Sequence, residues 1–290
     1  MLTLPVLSAR LAEAGYVAGR ELAMALHLME LLKRPLLLEG EAGVGKTEVA
    51  KALAAVHGAE LIRLQCYEGL DRSDALYEWN YQRQLLAIQV RAASGSAISE
   101  DDIFSERYLL ERPLLQSIRR EFPPVLLVDE IDRADEEFEA FLLELLSDYQ
   151  VSVPELGTIH ARSIPHVVLT SNGTREISDA LRRRCLYHYV DFPDVEREAA
   201  ILQRRLPGIG ATFALQIARA LEKIRKEDLR KVPGVAETLD WAAALIGLEL
   251  RDLHSNPETV YDTMMCLLKT QEDKSRFTRG VAARVLGKVA

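Results

Sequence analysis

Pro35-Leu36-Leu37-Leu38-Glu39-Gly40-Glu41-Ala42-Gly43-Val44-Gly45-Lys46-Thr47 joins a continuously apolar run to a glycine-rich turn that ends in a lysine and a hydroxyl residue. Three leucines bounded by proline and glutamate read as a short strand covered on both faces. Gly40 to Thr47 satisfies the spacing G-x-x-x-x-G-K-[ST] in full, and a helical pattern over Glu48–His57 follows it. Each part has a physical use. Gly40 and Gly45 let the backbone take turns closed to other residues and bring amide hydrogens close to phosphate. The helix that begins near Gly45 turns its positive end toward the anion. Lys46 neutralises the β- and γ-phosphates, and the Thr47 hydroxyl is a ligand for Mg²⁺. Gly40, Glu41, Ala42, Gly43, Val44, Gly45, Lys46, Thr47 and Glu48 are therefore the expected nucleotide-binding residues. The competing reading, a glycine-rich turn with a solvated lysine, is disfavoured by the strand before it and the helix after it.

Working outward, four more runs read as strands: Glu60–Cys66, Val125–Val128, His166–Thr170 and Leu186–Phe192. Helical periodicity lies between most of them, which is the signature of a parallel sheet wrapped by helices. Asp135–Tyr149 carries Phe138, Phe141, Leu142, Leu145, Leu146 and Tyr149 at spacings of three and four, one apolar stripe. Its leading acids, Asp135, Glu136 and Glu137, suit the positive end of a helix and read as helix-start chemistry. After Phe192-Pro193-Asp194 the patterns are helical only: Val195–Leu206, Thr212–Lys226, Val235–Leu250, Pro257–Thr270 and Lys274–Lys288. The expected fold class is α/β, a three-layer phosphate-loop domain around a central parallel sheet of about five strands. An α/β nucleotide domain over 1–194 and an all-helical lid domain over 195–290 are expected. Ser94–Asp102 is a low-complexity loop between the second and third strands, and Val151–Ala161 alternates like a hairpin.

Val125-Leu126-Leu127-Val128-Asp129-Glu130 ends an apolar strand in two carboxylates. In an open parallel sheet, ligands bind at the carboxyl ends of the strands. Asp129 is then placed to hold Mg²⁺ through its water shell, and Glu130 to orient or deprotonate the attacking water. Surface acids at a strand end are the alternative, and the phosphate loop on another strand argues against it.

The bulk chemistry narrows the class further. The 290 residues carry a net charge of −8, so no global basic field exists to hold nucleic acid or an anionic membrane. Cys66, Cys185 and Cys266 are far apart and show no metal-ligand spacing, which suits a reducing, cytoplasmic setting. Met1-Leu2-Thr3-Leu4-Pro5 lacks the charged start and apolar core of a signal peptide, and no apolar run approaches bilayer length. The six histidines show no paired metal spacing. Trp79 and Trp241 read as core.

The order of these motifs resembles that of the AAA+ ATPases and, within them, the MoxR-type group, over nearly the whole chain. Leu169-Thr170-Ser171-Asn172 is similar to the sensor-1 segment, and Asn172 is then expected to orient the lytic water beside Glu130; a turn asparagine is the alternative. Ile177–Cys185, with Arg182-Arg183-Arg184, resembles the arginine-finger segment, where an arginine reaches a neighbouring subunit's γ-phosphate. Arg184 is favoured and Arg183 comes next; a solvated turn is the alternative. Asp129-Glu130-Ile131-Asp132-Arg133-Ala134 is close to the D-E-I-N-R-A wording of MoxR proteins, which makes Arg133 a second candidate for contact across the subunit boundary. Leu76–Tyr81 and Thr170–His188 look like the branch that accompanies molybdenum-containing carbon monoxide dehydrogenase. That resemblance implies an ATP-driven maturation chaperone, a hexamer, a von Willebrand A-domain partner and a molybdenum-enzyme client. Tyr16–Gly19 matches the stretch that flanks adenine, and Val151–Ala161 the hairpin before sensor 1. One departure stands out: Glu237 occupies the place where the lid's sensor-2 arginine is expected, with Arg230 or Lys231 nearby as substitutes.

The same loop serves other functions. A clamp-loader or helicase type of nucleic-acid machine is the alternative, opposed by the acidic charge and by the absence of basic, aromatic-interleaved stretches. Guanine recognition needs a lysine–x–aspartate after Asn172, and a transporter ATPase needs Leu-Ser-Gly-Gly; neither is present.

Overall fold

Leu36–Glu39, the run that opens the phosphate loop, is strand β1 in a computed structural model that describes residues 2–94 and 99–286. Its three leucines are buried, and a strand pairs with it on each side. Five strands make up the main sheet: β1, β2 (Leu61–Gln65), β5 (Val125–Asp129), β8 (His166–Ser171) and β9 (Leu186–Tyr189). Their order is β2-β5-β8-β1-β9, and every pairing is parallel. Parallel strands feed their carboxyl ends to a single edge. Glu39 aligns with Ser171 and Tyr189 there, and Gln65 with Asp129. The opposite edge holds the strand starts, where Leu36 aligns with Leu186 and Val125 with His166.

Two antiparallel pairs stand apart from this sheet. β6 (Gln150–Val153) and β7 (Gly157–His160) form the hairpin anticipated from the alternation in Val151–Ala161. β3 (Tyr77–Trp79) pairs with β4 (Leu109–Glu111), a feature that the sequence did not reveal. Three-residue strands are too short to show an alternating pattern. The helices in this part of the chain are α1 (Leu4–Glu13), α2 (Arg20–Leu32), α3 (Lys46–His57), α4 (Arg72–Ala75), α5 (Tyr81–Ala93), α6 (Glu100–Ile103), α7 (Pro113–Arg119), α8 (Glu136–Asp148) and α9 (Asp179–Arg184). The low-complexity stretch from Ser94 to Asp102 falls partly outside the described residues, at 95–98. Within the described part, Glu100 and Asp102 lie in the single turn α6 rather than in loop.

The chain divides into two compact units. One consists of Met1–Ser8, Arg20–Glu39 and Ala50–Tyr189. Its core joins the sheet (Leu37, Leu126, Leu169) to the apolar stripe of α8 (Phe138, Leu142, Leu145) and to Trp79. Asp135 caps α8 by accepting the Phe138 N–H at 2.8 Å, the helix-start role expected of it.

The second unit consists of Ala9–Gly19, Gly40–Val49 and Val190–Ala290. It is built on α10 (Val195–Arg205), α11 (Ala211–Ile224), α12 (Val235–Gly247), α13 (Pro257–Asp262), α14 (Gln271–Arg276) and α15 (Arg279–Leu286). Phe213, Ile217, Leu221 and Trp241 meet in its core, and the Trp241 ring nitrogen donates to the Thr263 hydroxyl at 2.8 Å. The helical run anticipated over Lys274–Lys288 is instead two helices, and 287–288 lie outside the described residues. It breaks at Phe277, which is buried and whose carbonyl accepts from the Tyr261 hydroxyl. Burying that ring takes precedence over continuing the helix. Glu198 and Arg225 are both buried here, paired through two hydrogen bonds of 2.7 and 2.6 Å, and Thr238 donates to the same carboxylate. A buried pair of this kind is tolerated because the fork satisfies both oxygens.

Candidate functional site

The phosphate loop leaves the carboxyl end of β1. Gly43 (φ +83°) and Gly45 (φ +95°) adopt left-handed conformations that a side chain would resist, the kind of turn that anion-binding loops need. Lys46 and Thr47 open α3, whose first-turn N–H groups have no intrahelical partner. Lys46 is almost fully buried and its ammonium is curled over the loop, donating to the carbonyls of Gly40 (2.6 Å) and Glu41 (2.7 Å). Gly40, Glu41, Ala42 and Val44 make up the rest of the loop, and the Glu48 carboxylate accepts from Arg205 at 2.5 Å. A buried ammonium at the start of a helix suits a triphosphate. Tyr16 lies beside this loop: a side chain built on Gly45 would touch its ring at 4.0 Å. Burial pushes the Tyr16 phenol above its ordinary range, against the opposing pull of Arg197.

Helix α12 meets the loop main chain to main chain. The Val235 N–H donates to the Gly43 carbonyl at 2.9 Å, and Gly234 lies flat against Gly43. Glu237, in the place expected for a sensor-2 arginine, turns back to accept the Gly234 N–H at 3.0 Å and closes the helix start. The Arg230 and Lys231 main-chain N–H groups both donate to Asp273, and the Arg230 guanidinium lies 3.9 Å from Glu272.

Asp129 is the last residue of β5 and is buried; Glu130 follows in a left-handed conformation (φ +56°, ψ +52°) rare for a residue with a side chain. Strain of that kind persists where the surroundings over-determine it. Here Thr170, one strand away on β8, ties the two acids together. Its hydroxyl donates to Asp129 Oδ1 at 2.6 Å and accepts the Glu130 N–H at 2.9 Å. From the other side β2 supplies Arg63, whose Nη2 and Nε reach Asp129 Oδ2 at 2.6 and 3.1 Å. Gln65 donates to Glu130 Oε2 at 3.0 Å, and Arg133 donates to the same oxygen at 3.0 Å. Burial and the surrounding carboxylates of Asp129, Asp132 and Glu130 push the neighbouring Cys66 thiol up to about 12, so it stays a neutral packing residue.

Asn172 follows β8 at the same edge of the sheet. Its main-chain N–H donates to Asp132 Oδ1 at 3.2 Å, while Asp132 Oδ2 accepts the Thr174 N–H (3.0 Å) and hydroxyl (2.6 Å). Burial alone would raise the Asp132 carboxyl, but these hydrogen bonds outweigh it and hold it below the usual carboxylate range. Asp129, Glu130 and Asn172 are thus brought together at the carboxyl edge, the edge from which the phosphate loop also departs.

The arginines are elsewhere. α9 ends at the start of β9, so Arg183 and Arg184 lie by the amino edge of the sheet. There Arg34, just before β1, donates to the carbonyls of Arg183 (2.5 Å) and Arg184 (3.1 Å). The Arg184 guanidinium binds the Ser147 hydroxyl at 2.5 Å, whereas the exposed Arg183 is held through its carbonyl alone. Arg182 points the opposite way and pairs with Glu39 at 3.1 Å. The run is helical, and its side chains turn to different surroundings.

Sequence reasoning missed four residues around the acids: Arg63, Gln65, Thr170 as a bridge, and Glu139. Arg63 and Gln65 are polar residues two apart in a short strand, which reads as an ordinary exposed face. Glu139, almost wholly buried on α8, binds Arg175 and accepts the Ser178 N–H at 2.8 Å, fixing the chain into α9. A carboxylate just beyond the acids of a helix start gives no such signal.

The chain belongs to the AAA domain family, dynein-related subfamily, which matches residues 35–185. Midasin of Dictyostelium discoideum is 30% identical over 185 residues, 59% of this chain, and the chain spans only 3% of that protein's length. Among solved structures, the Thermotoga maritima RuvB Holliday junction branch migration motor is 18% identical with a TM-score of 0.46, over 84% of this chain and 66% of that one. A Cytophaga hutchinsonii protein described as an ATPase is 15% identical with a TM-score of 0.48, over 99% and 95% of the two chains. The family is one of AAA-type ATPases, which use ATP with Mg²⁺. The donor set fits that metal. Among the described residues no cluster of three or more His, Cys, Asp or Glu side chains could hold an ion alone. Mg²⁺ needs none, because it keeps several waters and takes one or two protein oxygens besides the phosphates. Among the described residues, too, no helix is long and apolar enough to cross a membrane.

Proposed function

We propose that the chain is a ring-forming chaperone of the MoxR type, which spends ATP to remodel or mature a client protein. The observation that supports it is the separation of Arg183 and Arg184, by the amino edge of the sheet, from Asp129 and Glu130, at the carboxyl edge. Arg34 and Ser147 hold Arg183 and Arg184 by the amino edge, from which a neighbouring copy's site can be reached. In this scheme Gly40–Glu48 hold the triphosphate, Lys46 charges its β- and γ-phosphates, and Thr47 and Asp129 hold Mg²⁺. Mg²⁺ supplies charge neutralisation of the phosphate oxygens when bound. Glu130 takes the proton of the attacking water, Asn172 orients that water, and Arg184, with Arg183 beside it, is delivered in trans. Residues 1–194 serve as the nucleotide domain and 195–290 as its lid. The resemblances at Leu76–Tyr81 and Thr170–His188 favour a molybdenum hydroxylase such as carbon monoxide dehydrogenase as client and a von Willebrand A-domain protein as partner, with a hexamer as the working assembly.

The test is ATP turnover as a function of protein concentration. The rate per chain should rise as the protein assembles, and Arg184→Ala should lower kcat about a thousandfold without dissociating the ring. Assembled rates unchanged in both Arg184→Ala and Arg183→Ala would remove the finger assignment. Tight, salt-sensitive DNA binding would replace the protein client with nucleic acid.

A further inference from the structure

Glu130 has to meet two demands that conflict. Its backbone is left-handed (φ +56°, ψ +52°), a conformation in which glycine is at ease and a long side chain is not. A glycine there would have no carboxylate to offer. A residue that keeps both its acid and this conformation depends on its surroundings to hold the turn. Gln65 and Arg133 both donate to Oε2 at 3.0 Å, but they act on the end of a flexible side chain, and Arg133 is itself 60% exposed. Thr170 acts on the main chain. Its hydroxyl accepts the Glu130 N–H at 2.9 Å, from a strand residue that is 1% exposed.

The direction of that contact is set by hydroxyl chemistry. Threonine has one hydroxyl proton and two lone pairs. The proton goes to Asp129 Oδ1 at 2.6 Å, which leaves a lone pair for the Glu130 N–H. β8 lies between β5 and β1, and Leu169 aligns with Val128, so Thr170 comes level with Asp129 at the end of β5. β-Branching restricts the rotamers open to it. We infer that Thr170 is a positioning residue for hydrolysis: it places the Glu130 carboxylate through the main chain, by holding the turn that aims the Cα–Cβ bond. The inference rests on the reading of Glu130 as the base that takes a proton from the attacking water. Without the hydroxyl, the Glu130 N–H loses its acceptor and the turn relaxes toward backbone that glutamate prefers. Gln65 and Arg133 reach the carboxylate through long side chains, which can follow it when displaced but cannot restore its place. Asp129 is less affected, because Arg63 still binds its other oxygen.

The experiment is a double-mutant cycle on the assembled full-length protein. It reads single-turnover hydrolysis of radiolabelled ATP and, separately, affinity for a non-hydrolysable ATP analogue with Mg²⁺. Thr170→Val, which keeps the shape and loses the hydroxyl, should slow hydrolysis about a hundredfold while analogue affinity stays within about twofold. Thr170→Ser, which restores the acceptor, should recover the rate to within about fivefold of wild type. In a Glu130→Gln background no base remains to be aimed, and Thr170→Val should change the residual rate by less than about twofold. A threonine that merely stabilised the sheet would lower the melting transition and leave the rate per folded chain near wild type. That result overturns the inference. So does an undiminished loss in the Glu130→Gln background, a serine variant as slow as the valine one, or analogue binding that weakens in step with the rate. Should Thr170→Val fail to fold, Thr170→Cys, a weak acceptor, enters the same cycle. Wild-type turnover in Glu130→Gln alone overturns the reading of Glu130 as the base, and this inference with it.

Discussion

Gly234 shows how much one hydrogen atom in place of a methyl can decide. Its backbone is ordinary (φ −85°), so an alanine would be conformationally comfortable. A Cβ there would nevertheless meet the Gly43 Cα at 2.7 Å, its carbonyl oxygen at 2.8 Å and its carbonyl carbon at 2.9 Å. All three are main-chain atoms of the phosphate loop, so no side chain can give way. Gly234→Ala should leave the helical unit folded and displace the loop, weakening ATP binding by about tenfold, or about 1.4 kcal/mol of overpacking. Isothermal titration with ATP checks it; affinity equal to wild type would mean that α12 yields instead. The residue-scale reading of Gly40–Thr47 was available from spacing because each position there has a local reason. Gly234 was not, because its reason is Gly43, 191 positions away in sequence.

At the scale of elements, α9 is the instructive case. Six residues make too short a helix to be stable by its own hydrogen bonds. Ser178 caps it, Arg34 takes up carbonyls at its end, and Glu139 of α8 grips the chain that enters it. Glu139→Ala removes the partner of Arg175 and an acceptor for the Ser178 N–H together. It should cost about 2 kcal/mol in urea unfolding, since Arg175 is partly exposed and can be resolvated. It should also depress assembled ATP turnover through looser placement of Arg183 and Arg184. Glu139→Gln, whose single amide oxygen can keep one of the two hydrogen bonds, should be milder on both counts. Long elements such as α8 were legible because an apolar stripe repeats over several turns. α9, β3 and β4 were not, because their stability comes from partners distant in sequence.

For the whole molecule, the proposed site predicts that ATP with Mg²⁺ binds the folded chain and has nothing comparable to bind in the unfolded one. Ligand at a hundred times its Kd should add about 2.7 kcal/mol to stability, a rise of about 5 °C or more in the melting transition. Lys46→Ala should abolish most of that rise while leaving the nucleotide-free transition near its wild-type position. Because the chain comprises two compact units, the melt should be followed by two probes, and the shift should show in the transition that includes Gly40–Val49. A shift that survives Lys46→Ala would place the nucleotide outside the phosphate loop.

The sequence by itself determined the α/β class, the five strands of the parallel sheet to within a few residues, and the phosphate loop, because strand runs and loop spacing are local patterns that few other structures satisfy. The carboxyl ends at which Asp129 and Asn172 stand followed from the same patterns. Only the tertiary structure decided what holds those residues. Arg63 against Asp129, Thr170 between the two acids, Asp132 under Asn172 and Gly234 against Gly43 are contacts between elements far apart in the chain. Such contacts leave no periodicity in sequence, since the partner of each residue is set by strand order and register and not by its neighbours.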